Sequence, residues 1–312
     1  MALDESHTDP LTQLWGEFSE MVSGIELAQW RSQAQEAAIA LAIPATEVDW
    51  LLTHLSELDR LALRVGVSAQ ADVRLRLPFT RLQQLWQQRV EQRIPLQYLV
   101  GLAPWREFWL RVTPDVLIPR PETELLIDLA KMAATANHAT QGSWADLGTG
   151  SGAIALGLAT ALPQAQIFAV DYSAAALAIA QSNAATYHLH HRIHFYQGEW
   201  LTPLAHLQGQ LQGIVSNPPY IPHALVPTLA PEVAQHEPHL ALDGGEDGLE
   251  SVRHLITTAP DYLKPGGIWL VELMVGQAPM VANLLEQQGN YAHIQIHADL
   301  SGIPRFVLAQ RS

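Results

Sequence analysis

The tetrapeptide Asn217-Pro218-Pro219-Tyr220 follows directly on the apolar run Gly213-Ile214-Val215-Ser216. Prolines have no N–H to give to a sheet ladder, so a strand must stop here and a rigid loop begin. The residue types suit one kind of chemistry. An NH₂ group on a planar amide or amine is a poor nucleophile because its lone pair is delocalised, and it carries two hydrogen-bond donors. The Asn217 side-chain oxygen supplies one acceptor. The Pro218 carbonyl, on a backbone of fixed φ, supplies another, and Tyr220 can lie flat against a planar group. Such a loop works by positioning and electrostatics and needs no strong base. Asn217, Pro218 and Tyr220 are therefore the candidate catalytic residues, and Asn217, Pro218, Pro219 and Tyr220 the candidate substrate slot.

A second constellation lies upstream. Asp146-Leu147-Gly148-Thr149-Gly150-Ser151-Gly152 joins a predicted strand to a predicted helix, Ala153–Leu162. Glycines let such a turn tighten and let a ligand approach the backbone. Val170-Asp171 ends the next predicted strand, about 20 residues beyond Gly152, where an acidic side chain can accept from both hydroxyls of a ribose. A dinucleotide dehydrogenase would present the same pair. The Asn-Pro-Pro-Tyr loop separates the two readings.

Both constellations need a sheet edge to hold them. Strands are predicted at 143–147, 166–171, 193–196, 212–216, 268–273, 291–296 and 304–309. Helices lie between the earlier ones, and a helix spans Gln277–Gln288. This alternation predicts an α/β fold with a mostly parallel, doubly wound sheet. The short link between the last two strands predicts an antiparallel pair. A seven-stranded Rossmann-like sheet with an antiparallel end is the pattern of class I methyltransferases.

A helix is predicted over 121–136, with Pro121 at its first position and acidic residues in its first turn. Before it, the alternation of Phe108, Leu110 and Val112 and the turn Thr113-Pro114-Asp115 predict a β-hairpin. Residues 1–95 read as a small helical domain. Trp30, Ala34, Ala37, Ala38 and Leu41 recur at helical steps. Thr46 with Asp49 is a candidate cap for a helix carrying Val48, Leu51, Leu52 and Leu55. Thr80-Arg81-Leu82-Gln83 fits a capping box, with Leu82, Leu85, Trp86 and Val90 on one face and Gln83, Gln87, Arg89 and Gln92 on the other. The expected organisation is a helical domain at 1–95, a hairpin linker at 96–120 and a catalytic domain at 121–312.

Composition narrows the function classes. The chain has 312 residues, 17 basic and 31 acidic, for a formal charge of −14. This balance lacks the electrostatic footprint of a duplex-DNA binder. There is no cysteine, so disulfides and thiolate metal sites are excluded. The opening MALDESHTDP is acidic and polar and does not read as a secretory signal. No apolar run is long enough for a membrane span. The histidines at 188, 190, 191 and 194 lack the carboxylates and helical spacing of a metal site, so no metal is expected.

Taken with these residues, the chain resembles the release-factor glutamine methyltransferases, the PrmC/HemK family. The likeness is carried by Arg93–Tyr98, by Val116–Glu124 with its Pro119-Arg120-Pro121-Glu122-Thr123-Glu124, by Asp146–Gly152, by Asn217–Tyr220 and by Glu237-Pro238 with Gly244–Leu249. Departures are Glu199, where the family usually has Asp, Met274, where it has Gly, and the hairpin segment Ala103–Trp109. The resemblance implies S-adenosylmethionine as cofactor, with S-adenosylhomocysteine as product. It implies methylation of the glutamine in the Gly-Gly-Gln tripeptide of peptide chain release factors, with the N-terminal helices recognising the factor. It further implies cofactor contacts from Gly148, Thr149, Gly150, Ser151, Gly152, Asp171, Trp200 and Asn217, with Trp200 near the adenine, and a hairpin residue such as Phe108 covering the site. The lack of cysteine is compatible with a reducing cytoplasm, which is the expected setting, and the charge balance and the lack of a long apolar run lead to an expectation of no direct contact with nucleic acid or membrane. The rival with the same loop is an adenine-N6 DNA methyltransferase acting on a flipped base. The acidic charge and the compact helical N-terminus count against it.

Overall fold

A computed structural model describes residues 10–312. The reading of residues 1–9 as no secretory signal lies outside the described residues. The chain divides into two compact units, Met1–Leu102 and Ala103–Ser312.

In the first unit the helices Gly24–Ala40, Thr46–Leu55 and Phe79–Gln92 bury the apolar faces that their spacing predicts. Val48, Leu51, Leu52, Leu55, Leu82 and Leu85 are fully buried. Several details depart from the expectation. The unit also contains an antiparallel ribbon of β1 (Glu20–Ser23) and β2 (Asp72–Leu75), too short for periodicity to reveal. Neither threonine caps. Thr46 is the first helical residue after Ala45, and Thr80 sits inside a helix that already starts after Pro78, whose carbonyl accepts from the Arg81 and Leu82 amides. Asp49 instead pairs with Arg31 at 2.6 Å. Arg89 lies on the buried face, 3% exposed, because Glu47 takes its guanidinium through two bonds of 2.6 and 3.0 Å. Leu41, just past its helix, is exposed.

The second unit opens with the hairpin of β3 (Leu102–Trp105) and β4 (Phe108–Arg111). The inward residues Phe108, Leu110 and Val112 are buried as their alternation requires. The helix that follows is Glu124–Ala136, three residues later than Pro121 would start it. Residues 120–126 are wound by tight three-residue backbone bonds before the α-helix begins, which leaves Pro121 in a turn.

The sheet comprises β5 (Gln141–Leu147), β6 (Gln164–Asp171), β7 (Ile193–Gln197), β8 (Leu211–Ser216), β9 (Leu263–Glu272), β10 (Tyr291–Ala298) and β11 (Pro304–Arg311). Their spatial order is β10-β11-β9-β8-β5-β6-β7. β5 to β9 run parallel to one another, while β11 is antiparallel to both β9 and β10. The period-two alternation of side chains sorts the core into two layers. Trp144, Ile167, Val215, Ile268 and Leu270 pack with the helices at 124–136 and 153–161. Ala145, Phe168, Ile214, Trp269 and Val271 pack with those at 250–258 and 278–288. The chain winds from β5 outward to β7, then returns to place β8 on the other side of β5. Between β5 and β8 lies the switch point where open α/β sheets bind ligands, beyond the carboxyl ends of the strands.

Trp144 is fully buried at the centre of this sheet, and its indole N–H donates to the Ala139 carbonyl at 3.0 Å. Trp144→Ala is expected to cost about 3–5 kcal/mol through the cavity it leaves, read as a lower midpoint in urea denaturation.

Candidate active site

The switch point is built from the ends of β5, β6 and β8. Leu147 stands opposite Val170 on one side and Ser216 on the other. The buried Ser216 hydroxyl donates to the Leu147 carbonyl at 2.6 Å, which locks the start of the 217–220 loop against the start of the glycine turn. Gly148, Gly150 and Gly152 have φ of 75°, 53° and 84°, a region that side-chain-bearing residues rarely enter.

Asp146 holds that turn from beneath. It is fully buried, and its carboxylate accepts from the Thr149 hydroxyl at 2.6 Å and from the Ala155 amide at 3.0 Å. Burial outweighs both bonds and pushes its pKa up to about 7. From the side, Asp171 accepts from the Gly150 amide at 2.8 Å and the Ser173 amide at 2.9 Å. Burial raises its carboxyl above the ordinary range as well.

A cavity of about 650 Å³ opens over these groups, within the usual size range for small-molecule sites. Gly148, Gly150, Asp171, Trp200, Asn217 and Pro219 all line it. The other predicted residues stand behind this wall. Thr149 and Ser151 are buried, the Thr149 hydroxyl is spent on Asp146, and the Ser151 carbonyl accepts from Asn183. A Cβ on Gly152 would meet the Ala180 Cα at 3.2 Å, so the bare glycine permits the helix to start there. Pro218 is buried next to Asn217. Tyr220 directs its hydroxyl to Glu272 at 3.4 Å; burial, with the nearby Glu272 charge, raises the phenol well above its ordinary value, so it stays neutral. Phe108 packs in the core, 4.8 Å from the Tyr187 ring, and is not part of the cavity wall.

The 217–220 loop is held on its far side too. The Gln277 amide donates to the Tyr220 carbonyl at 2.9 Å. Gly244 packs so closely that a Cβ there would meet the Pro219 carbonyl oxygen at 2.8 Å. Further wall comes from Pro114–Leu117 and from Pro238, Leu240, Ala241 and Asp243, which residue spacing did not assign to the site. Arg120 and Glu237 join the stretches carrying these segments by an ion pair at 2.7 Å, with the Glu237 side chain 1% exposed. Sequence reasoning also missed Thr123 and Glu272. The signal for Glu272 was a carboxylate closing an otherwise apolar strand, Ile268–Val271.

A family model described as the methyltransferase small domain matches residues 122–244. The release factor glutamine methyltransferase of Synechocystis sp. is 54% identical over 291 residues, which is 93% of this chain and 97% of that protein. Its counterpart in Thermosynechococcus vestitus is 49% identical, over 93% of this chain and 99% of its own. Among solved structures, the hMettl16 catalytic domain in complex with the MAT2A 3′UTR hairpin 6 aligns with a TM-score of 0.52 and 16% identity, covering 83% of this chain and 88% of that one, a likeness of fold. Fold and family model together define a Rossmann-like class I methyltransferase. The chain belongs to the release factor glutamine methyltransferase family. Among the described residues no helix is long and apolar enough to cross a membrane, and no group of three or more potential ligands could hold a metal ion.

The raised pKa of Asp146 has a consequence for stability. A carboxyl that holds its proton more tightly when folded makes stability fall as pH rises, here from the ordinary value of about 4 to about 7. Asp146→Asn keeps an acceptor for Thr149 and Ala155 but titrates nothing. In urea denaturation across that pH window its stability should fall less steeply than that of the wild type; an equal slope would remove Asp146 as the source.

Proposed function

We propose that this chain transfers a methyl group from S-adenosyl-L-methionine to the side-chain amide nitrogen, N5, of the glutamine in the Gly-Gly-Gln motif of peptide chain release factors. The observation that carries this reading is that Asn217 and Pro219 line the same cavity as the glycine turn and Asp171. The relatives' name, release factor glutamine methyltransferase, supports the substrate.

The residues present fit the cofactor. A turn without side chains at 148 and 150 faces a cavity of suitable size, and a carboxylate stands at its edge. The turn Gly148–Gly152 receives the methionine portion, with Thr149, Ser151 and Gly152 acting through backbone and shape. Asp171 accepts from the ribose hydroxyls, and Trp200 flanks the adenine. When bound, S-adenosylmethionine supplies an electrophilic methyl group on a cationic sulfur.

The protein's part is to present the nitrogen. Asn217 Oδ1 accepts one N–H of the substrate amide and the Pro218 carbonyl the other, so the lone pair is aimed at the cavity. Both acceptors strengthen their hold as positive charge builds on that nitrogen, which is where preformed dipoles lower a barrier most. Pro219 and Tyr220 close the slot around the planar group. The helical domain at 1–95 recognises the release factor, with residues 96–120 as the link to the catalytic domain at 121–312. We place the protein in the cytoplasm, acting on a protein without direct contact with nucleic acid or membrane.

Mass spectrometry of a release factor after incubation with cofactor should find one added methyl on the Gly-Gly-Gln glutamine. Transfer to adenine in DNA, with none to the factor, would overturn the reading. Asn217→Ala should lower kcat by about 10²-fold or more while cofactor affinity by calorimetry stays near that of the wild type. Asp171→Ala should instead weaken cofactor binding by about tenfold or more; unchanged affinity would take it out of the site.

A further inference from the structure

Asn217 is useful as an acceptor only if its amide points the right way. An amide turned by 180° would aim its NH₂ at the substrate's NH₂, donor against donor. The loop's own backbone does not select between the two orientations, because both fill the same space.

The selection lies behind Asn217. Its Nδ2 donates to the Thr123 hydroxyl oxygen at 3.2 Å. Thr123 sits at the N-cap of the Glu124–Ala136 helix, a position where a threonine oxygen ordinarily accepts from a first-turn amide. Here it makes no such bond, and the side chain, 4% exposed, is turned to other work. The Thr123 hydroxyl lies beside the Glu272 carboxylate, whose Oε2 is buried and has no bonded partner among the described residues; burial raises the Glu272 carboxyl, and the hydroxyl beside it acts the other way, favouring the charged form. Glu272 ends β9, 1% exposed, directly after Val271, which pairs with Ser216 at the end of β8. The Tyr220 hydroxyl reaches the same carboxylate.

A threonine hydroxyl has one proton to donate. If Glu272 takes it, Thr123 can only accept from Asn217, and Asn217 must turn its NH₂ inward and its Oδ1 toward the cavity. We propose that Thr123 and Glu272 are positioning residues that set the orientation of the Asn217 amide, so that an acceptor faces the substrate nitrogen. The helix cap, the end of β9 and the catalytic loop thus form one relay, Glu272 to Thr123 to Asn217. Neither Thr123 nor Glu272 touches the reacting atoms.

The inference rests on the proposed glutamine methylation, and the test separates the two. Steady-state and single-turnover kinetics are measured on a release factor with the full-length enzyme. Thr123→Val keeps the shape and loses the hydroxyl. It should lower kcat by about 10- to 100-fold with the KM for S-adenosylmethionine within about twofold. Thr123→Ser should recover most of the rate. In an Asn217→Ala background, Thr123→Val should cost nothing further, because a residue acting only through Asn217 has nothing left to orient. Glu272→Gln, which can also donate to Thr123 and so free it to hold Asn217 either way, should give an intermediate loss of kcat, and it carries the test if Thr123→Val fails to fold. Wild-type kcat in Thr123→Val, or in Glu272→Gln, overturns the relay, as does a full additive loss in the Asn217→Ala background. A wild-type enzyme that leaves the glutamine unmodified overturns the proposed function instead.

Discussion

Leu147 and Ser216 lie side by side in parallel register, and the Ser216 hydroxyl reaches across to the Leu147 carbonyl. The rest of the site depends on that pairing. It brings the glycine turn and the Asn-Pro-Pro-Tyr loop, nearly 70 residues apart in the chain, to adjacent positions at one edge of the sheet. A shift of one residue in the register would turn every side chain of β8 to the opposite face and exchange the two core layers. Trp144, Val215 and Ile268 on one side, and Ala145, Ile214 and Trp269 on the other, leave no room for that exchange.

Around this pair the molecule places several carboxylates where water does not reach them. Asp146 lies under the turn, Glu272 lies beside the 217–220 loop, and Glu237 holds a segment of the cavity wall. Burial pushes Asp146 and Glu272 each up to about 7 and raises Glu237 despite Arg120. Buried acids oppose stability. Each is found where a backbone amide, a hydroxyl or a guanidinium near the site must be held in one orientation. Rigid placement of dipoles suits an amide nitrogen, whose lone pair is delocalised.

Much of this was legible from residue order. Strand and helix periodicity predicted all seven strands of the sheet and the antiparallel final pair, six of the strands to within two residues at each end, because those segments bury whole faces; β9 starts at Leu263, five residues before the predicted start. The local readings that failed were mostly those in which tertiary contacts outbid a local rule. Thr46 and Thr80 have the chemistry of caps but lie inside their helices. Pro121 is suited to a helix start but sits in a tighter turn. Arg89 looks solvated by composition and is buried because Glu47, 42 residues away, meets it. The short ribbon of β1 and β2 has no periodicity to detect in four residues per strand.

The sequence by itself determined the sheet, the two motifs at its edge and the family, since glycines, prolines and alternating apolar residues constrain the backbone wherever they occur. Only the tertiary structure decided which motif residues face the cavity and which serve from behind. Thr149 turns away to Asp146, and Thr123 leaves its own helix to meet Asn217 and Glu272. Hydrogen-bond partners of this kind come from distant strands and helices, and a side chain with several possible partners is committed to one only when folding brings it within reach.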